Sequence, residues 1–425
     1  MTKSEYMKIL QEKMQRYNIA VEREILEDYE QHFAEGMAQG HTEEEIIAEL
    51  GNIEDMLQEF SEEDLKQELE TVELQASQSN SYERMYREVV IDGLLANVEV
   101  CNSGDDQLRI DYENRGSKAQ KLRYYFYQYE KDGTFYAGVK ERKGEEFSRD
   151  SGLDSIWDVF SHFTRWSGGD IDLRLEIPTG IPVVRLHTTS GDLMIRKIQT
   201  DELEAQCTSG DLRIEAVGCK KLLGRTQSGD LEVSGIRMNV GENTEMNFNT
   251  TSGDLEMQWI SAARIRIGIV SGDLKTEQLE TEELNVQTSS GELELKNIQC
   301  TRAVLRSGSG DMDMENIRGK ELSAGTGSGE VVLHADMETI DIKTGSGDID
   351  LDAGSDARQI RLTTGSGDVC LNMGKVEGAS IVTHTGSGDM FVKDHEVSGR
   401  SYNASYGSGV CQVKIATGSG DICVD

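Results

Sequence analysis

From residue 188 to residue 425 the apolar positions recur in a frame of about 19 residues, the length of one solenoid coil. In each frame an apolar, a polar and a second apolar residue follow an acidic position, as in Leu212-Arg213-Ile214, Leu231-Glu232-Val233, Leu255-Glu256-Met257 and Leu293-Glu294-Leu295. Side chains alternate faces along a strand, so this period of two predicts short strands with one face inward. The first apolar column runs on through Leu193, Leu274, Met312, Val331, Ile349, Val369, Met390 and Ile422. The second runs through Ile195, Met314, Leu333, Leu351, Leu371, Val392 and Val424, with Thr276 as the exception. Further columns follow Ile198, Val217, Ile236, Ile260, Leu279, Ile298 and Ile317, and Leu203, Leu222, Leu284 and Leu322, which allows two or three strands per frame. A single unit of this size cannot bury its own inward face, whereas stacked units share a continuous core. The expected fold is mainly β: a single-chain parallel β-solenoid.

The acidic position belongs to a tripeptide. Ser-Gly-Asp or Ser-Gly-Glu recurs with its serine at 190, 209, 228, 252, 271, 290, 309, 328, 346, 366, 387 and 419, with Ser408-Gly409-Val410 as a variant. Glycine opens conformations closed to other residues, and Ser and Asp side chains bond nearby turn amides, so the triplet reads as a corner. Threonine two residues before the serine, at Thr188, Thr226, Thr250, Thr288, Thr326, Thr344, Thr364, Thr385 and Thr417, is expected to stack into a ladder. A second glycine precedes the serine at 308, 327, 345, 365, 386, 407 and 418, which predicts a wider corner in the C-terminal half. With strands about 4.8 Å apart, thirteen turns span roughly 60 Å.

Upstream the period changes to that of a helix. Thr2 with Glu5 forms a capping-box pattern ahead of Tyr6, Ile9, Leu10 and Met14. Ile25, Leu26, Tyr29, Phe33 and Met37 make a second stripe, closed near Gly40. Thr42 with Glu45 opens a third helix through Ile46, Ile47 and Leu50, closed by Gly51, and a fourth is expected over 54–69. Residues 1–74 therefore read as a small all-α bundle. The run Ile25-Leu26-Glu27-Asp28-Tyr29-Glu30-Gln31-His32-Phe33, with Gly36, Gly40 and Thr42-Glu43-Glu44-Glu45-Ile46-Ile47-Ala48-Glu49-Leu50-Gly51, resembles the HAAS-type helical signalling domain of bacteria. That resemblance implies a non-catalytic signalling module, often found near PadR-type transcription regulators.

Residues 75–88, with the polar run Gln75-Ala76-Ser77-Gln78-Ser79-Asn80-Ser81, read as a linker. Residues 89–187 read as a β-rich lead-in to the repeat array at 188–425. Val98 and Val100, then Leu108, Ile110 and Tyr112, alternate with polar residues, and Asn102-Ser103-Gly104-Asp105 looks like an early corner of the same chemistry. Tyr124, Tyr125, Phe126, Tyr127 and Tyr129, then Asp132-Gly133 and Phe135-Tyr136, predict a hairpin whose aromatic residues serve packing. Over 150–166, Leu153, Ile156, Trp157, Phe160 and Phe163 share a helical face, and a helix there is expected to cap the first coil.

Charge narrows the function. A formal net charge of -35 argues against nucleic acid, because phosphate contacts need clustered Lys and Arg, and against anionic lipid as a partner. Residues 1–75 alone carry 21 acids and 6 bases, a net of -15, which reads first as a solvated acidic face and alternatively as a docking surface for a basic partner, with Glu27, Asp28, Glu30 and Glu35 flanking the apolar stripe as its rim. No apolar run has the length of a signal peptide or membrane span, so a cytoplasmic chain without direct membrane insertion is expected, with envelope association as the alternative. Seven cysteines in no close pairing, Cys101, Cys207, Cys219, Cys300, Cys370, Cys411 and Cys423, fit reduced thiols. Cys370 and Cys423 should face outward and Cys411 inward.

No catalytic, cofactor or metal residues are assigned. Near-identical serines cannot each have a private base, and His187, His334, His384 and His395 recur at no matching offset. A column of turn acids invites cations, yet calcium needs about 6 to 8 oxygens and only one corner of each coil carries the motif, so turn-capping carboxylates are the favoured reading. The array with residues 89–187, including Ile177-Pro178-Thr179-Gly180, resembles the bacterial putative-adhesin family of β-solenoid domains through its repeated Ser-Gly-Asp-apolar-x-apolar corner. The name of that family implies surface attachment. The expected function is a non-enzymatic signalling or scaffold protein, its helical module binding a protein partner such as a PadR-type regulator or a membrane protein. The alternative is a structural or adhesin-like protein that forms a homo-oligomer through an uncapped strand edge after Ser419-Gly420-Asp421, or attaches at the envelope.

Overall fold

A computed structural model describes residues 2–16, 26, 29–30, 33–34, 36–37, 41–50, 77–83, 85–142, 170–393 and 395–425. The helix expected at 54–69 and the capping stretch at 150–166 lie outside these residues, as does Ile25 of the second helical stripe. In the helical part, Lys3–Arg16 and Glu43–Leu50 are α-helices. Both capping boxes close reciprocally. The Thr2 N–H donates to Glu5 Oε2 at 2.9 Å and the Glu5 N–H to Thr2 Oγ1 at 3.3 Å, and Thr42 and Glu45 repeat both bonds. Tyr6, Leu10, Tyr29, Phe33 and Ile46 are buried together, with the Tyr6 ring 6.0 Å from Tyr29 and 5.9 Å from Phe33. Burial pushes the Tyr6 phenol up to about 12.

The rest is a solenoid whose rungs follow the alternation read above. One stack holds the strands that lead into each corner: Glu88–Asp92, Val183–Thr188, Glu202–Cys207, Lys221–Thr226 and Glu245–Ser252 pair in parallel, and the later coils continue in the same register. A second stack holds the strands that leave each corner: Asn97–Asn102, Leu193–Arg196, Leu212–Glu215 and Leu231–Ser234, then the coils beyond. From Leu255–Ser271 to Val331–Ser346 each coil is one strand of 16 or 17 residues that bends around the core and adds a third, short ladder, as at Ile260↔Leu279↔Ile298↔Ile317. Successive rungs are offset by 19 residues through most of this region, so like residues stack on like. Every residue of the two main apolar columns is buried, from Leu193 and Ile195 to Ile422 and Val424. One inward column also trades volume between rungs. Gly224 stacks on Phe248, and a Cβ at Gly224 would lie 2.7 Å from the Phe248 ring.

Several features depart from the sequence reading. Within the expected linker, Ser77–Tyr82 is a strand paired antiparallel with Leu108–Asn114. Its polar alternation gave no apolar signal because its outer face is in water. The Asn102-Ser103-Gly104-Asp105 turn does not join the corner column. It connects Asn97–Asn102 to Leu108–Asn114, with Asn102 Oδ1 accepting from the Gly104 N–H at 2.8 Å. The first corner lies earlier, between Glu88–Asp92 and Asn97–Asn102, and lacks the tripeptide.

The largest departure is at the C-terminal end. Cys411–Ser419 pairs with Gln359–Ser366 on one side and Gly378–Thr385 on the other, and Ile422–Val424 sits between Val369–Asn372 and Met390–Val392. The last coil in sequence is therefore threaded between two earlier coils. The expected uncapped edge after Asp421 does not exist, because both edges of that strand are paired. The end of the rod is instead formed by Ser401–Gly407 and His395–Glu396, which run antiparallel on Gly378–Thr385 and Met390–Val392.

Candidate functional surface: the corner ladder

Each corner is built around three positions with separate tasks. The threonine enters buried, and from Thr326 onward its hydroxyl donates to the glycine carbonyl of the neighbouring corner: Thr344 to Gly329 at 3.3 Å, Thr364 to Gly347 at 3.0 Å, Thr417 to Gly367 at 3.0 Å and Thr385 to Gly420 at 3.0 Å, whereas Thr250 and Thr288 bond within their own corners. Cys207 takes this place in one coil, its thiol donating to the Gly191 carbonyl and accepting from the Gly210 N–H, both at 3.2 Å. The glycine answers a steric demand. Gly291 has φ 138°, and a Cβ there would collide with the Gly272 carbonyl oxygen. The second glycine of the later corners serves the same close approach, since a Cβ at Gly327 or Gly345 would strike the carbonyl of Gly308 or Gly327.

The acid completes the corner. Asp192 Oδ1 accepts from the Asp211 N–H at 3.0 Å, Asp211 from Asp230 at 2.9 Å, Asp230 from Asp254 at 3.0 Å, Asp254 from Asp273 at 2.8 Å and Asp273 from Glu292 at 2.9 Å. The series resumes from Asp311 to Glu330 and from Asp348 through Asp368 and Asp421 to Asp389. It follows the threaded order of the rungs. The two interruptions fall after Glu292 and Glu330, where the extra methylene carries the carboxylate past the next amide. At the other end Asn97 Oδ1 accepts from the Asp192 N–H at 3.2 Å. The turn-capping reading of the acids thus describes what these carboxylates do.

A groove of about 430 Å³ runs along this ladder, lined by Asp192, Asp211, Asp230, Asp254 and Asp273 together with outward residues of the leaving strands. Adding Glu232 and Glu256 makes seven acids, and Arg213 and Lys275 make two bases, a net of -5. Among the described residues no group of three or more His, Cys, Asp or Glu side chains is placed to hold a metal ion. Beyond the ladder, outward residues form ion pairs between rungs, such as Arg213 with Glu232 at 2.9 Å, Lys220 with Asp201 at 2.7 Å and Lys221 with Glu202 at 2.8 Å.

The remaining chemistry-bearing residues are scattered. His187 Nδ1 lies 3.3 Å from Asp92 Oδ1, and His384 Nδ1 lies 2.9 Å from the hydroxyl of Ser401, which is not a corner serine. Burial raises the thiols of Cys207 and Cys300 to about 11 and that of Cys219 to about 12, so they stay protonated at neutral pH. Cys370 is exposed and Cys411 buried, each on its expected side. Of the acids expected to rim the helical docking stripe, Glu30 is described and exposed. No helix among the described residues is long and apolar enough to cross a membrane.

The sequence reading missed two things here. A second corner, five residues after the turn acid, places Lys197, Ala216, Trp259, Gln278, Asn297 and Asn316 at φ between 53° and 59°. Each such residue costs about 1 to 2 kcal/mol in isolation. Asn316 Nδ2 donates to Asn297 Oδ1 at 2.6 Å across two rungs, and asparagine was the one signal available. The other is Asn97, whose signal was Val98-x-Val100 directly after it.

A family model described as Toastrack DUF4097 matches residues 86–278 and residues 240–425, and a HAAS model matches residues 5–59. No curated protein matches the chain. Among solved structures, a putative cell adhesion protein from Clostridium sporogenes is 9% identical, with 82% of this chain and 98% of that one covered and a TM-score of 0.16. A putative lipid binding protein from Parabacteroides distasonis is 14% identical, with 81% and 96% covered and a TM-score of 0.26. A putative adhesin from Parabacteroides merdae is 12% identical, with 69% and 91% covered and a TM-score of 0.25.

Proposed function

Because the chain belongs to the Toastrack DUF4097 family over residues 86–425, we propose that it is a non-enzymatic signalling scaffold. In this reading the HAAS-like module binds a protein partner with a basic surface, a PadR-type regulator or a membrane protein, and the solenoid is the rod that presents it. The observation that carries the reading is the use of the repeated polar residues. The turn carboxylates and threonines, polar groups repeated in most corners, bond largely to neighbouring corners. What differs from rung to rung is the outward charge, which suits recognition of proteins rather than chemistry on a small molecule.

The test titrates the intact chain with a PadR-type regulator. Binding is expected to weaken with salt and to fall when the exposed Glu30 and Glu44 are changed to lysine. Equal binding by the Glu30→Lys, Glu44→Lys variant would remove the helical module from the proposal.

An adhesin-like or self-assembling role is the second reading. It is favoured by Ser401–Gly407, which among the described residues pairs along one side only, with Gly378–Thr385. Light scattering separates the two readings: a mass that rises with concentration supports assembly through that strand, and a constant monomer opposes it.

A further inference from the structure

Cys370 and Cys423 are 53 residues apart in sequence, yet the threading of the last coil makes them direct register partners on adjacent parallel strands. Both point outward, Cys370 exposed and Cys423 half-buried. Their row along the sheet is otherwise mostly charged, with Asp350 beside Cys370 and Phe391 beside Cys423. The Cys423 thiol donates to Asp425 Oδ2 at 3.8 Å, which adds a further carboxylate beside the pair. Strands in register sit about 4.8 Å apart, inside the span of about 4.4 to 6.8 Å that a disulfide needs between Cα atoms. The location also has a mechanical meaning. Cys423 belongs to the three-residue strand Ile422–Val424, a short rung between two others of three and four residues.

We propose that Cys370 and Cys423 form a disulfide site that clamps the threaded C-terminal coil to the coil beside it. The oxidant is a low-molecular-weight disulfide. One protein thiolate attacks a sulfur of that disulfide and displaces a small thiol, giving a mixed disulfide. The second protein thiolate attacks the mixed disulfide at the protein sulfur and displaces the other small thiol. One protein S–S bond forms, one small-molecule S–S bond breaks, two electrons pass to the oxidant, and the two protein protons end on the released thiols.

The surroundings set the pace. Burial, then the neighbouring Cys423 and the Asp350 and Asp368 carboxylates, push the Cys370 thiol up to about 11. Exchange is therefore slow at neutral pH and quickens as pH rises, in formation and in reduction alike. The pair behaves as a lasting clamp and not as a fast sensor.

The experiment treats the intact chain with oxidised glutathione near pH ~9. The expected result is loss of two of the seven thiols, a peptide cross-link between Cys370 and Cys423 within one chain, and slower amide exchange in Ile422–Val424 than in the reduced protein. The Cys370→Ser variant should lose the cross-link and keep the exchange rates of the reduced protein. Glutathione adducts that persist on either cysteine, a link between two chains, unchanged thiols, or a cross-link without slower exchange would each overturn the clamp.

Discussion

The two ends of the rod solve one problem with different materials. A stack of parallel strands has an open edge wherever it stops, and at each end of both stacks the chain here adds a strand that runs antiparallel to the array. At the N-terminal end Tyr124–Lys131 reverses on Thr134–Glu141, and Leu108–Asn114 reverses on Ile171–Ile177 with Ser77–Tyr82 outside it. That end is heavy with aromatic packing. Phe135 is buried against Tyr82 and Tyr86 with ring centroids 5.1 and 5.3 Å away, and Tyr112 stacks on Phe126 at 5.3 Å. At the C-terminal end the reversing strands are Ser401–Gly407 and the two-residue His395–Glu396, mostly polar, while Val382, Phe391 and Val410 stay exposed. There the chain gains security by threading its final coil inward instead of building a larger cap.

If threading secures that end, a charge on the threaded strand should have the largest effect. Ile422 is fully buried between Val369 and Met390, and Ile422→Lys places an ammonium there without a partner. We expect a loss of about 4 kcal/mol or more, or outright opening of the last coils, seen as fast amide exchange over residues 359–425 with the N-terminal rungs protected. Uniform exchange along the rod would show that the ends are not independent. Phe135→Ala should come next, costing about 3 to 5 kcal/mol by denaturant titration. The matched change Tyr406→Ala removes a half-buried ring covered by the Lys393 ammonium 3.2 Å from its centroid, and should cost about 1 kcal/mol. Equal losses would erase the contrast between the two caps.

This contrast was only partly legible in the sequence. The inward columns were readable because alternation reports side-chain direction directly, and even Thr276 was recognisable as an exception. The hairpin at Asp132-Gly133 was readable because both residues must adopt positive φ, here 52° and 82°. Threading was not readable, because identical corner motifs fit any rung and consecutive motifs are assumed to be neighbours. Its trace was the short interval between Ser408 and Ser419 and the loss of the acid at Val410. The second corner was hidden by its residue types, since Lys197, Trp259 and Gln278 reach positive φ only because the stacked rungs impose it.

The middle of the rod offers a control that touches neither end. The Thr276 side chain is buried between Met257 and Leu295, and its hydroxyl has no hydrogen-bond partner among the described residues. Thr276→Val keeps the shape and removes the orphaned group. It should stabilise the rod by about 1 kcal/mol, read as a higher midpoint in denaturant, and a destabilised variant would mean that the hydroxyl is satisfied by water.

The smallest expected effect concerns the ladder that joins the ends. From Asn97 the side-chain bonds run unbroken to Glu292, but the C-terminal rungs from Asp348 onward form a separate run, because Glu330 overshoots the Asp348 amide. Glu330→Asp shortens the side chain by one methylene and should create the missing bond. In an exposed corner that bond is worth about 0.5 to 1 kcal/mol. The reverse change, Asp254→Glu, should break the bond to the Asp273 N–H and cost a similar amount. The pair of variants isolates side-chain length, since charge is unchanged in both. Opposite shifts in stability would show that the two interruptions weaken the coupling between the rod's ends, whereas shifts of the same sign would show that length at this position acts through the turn itself.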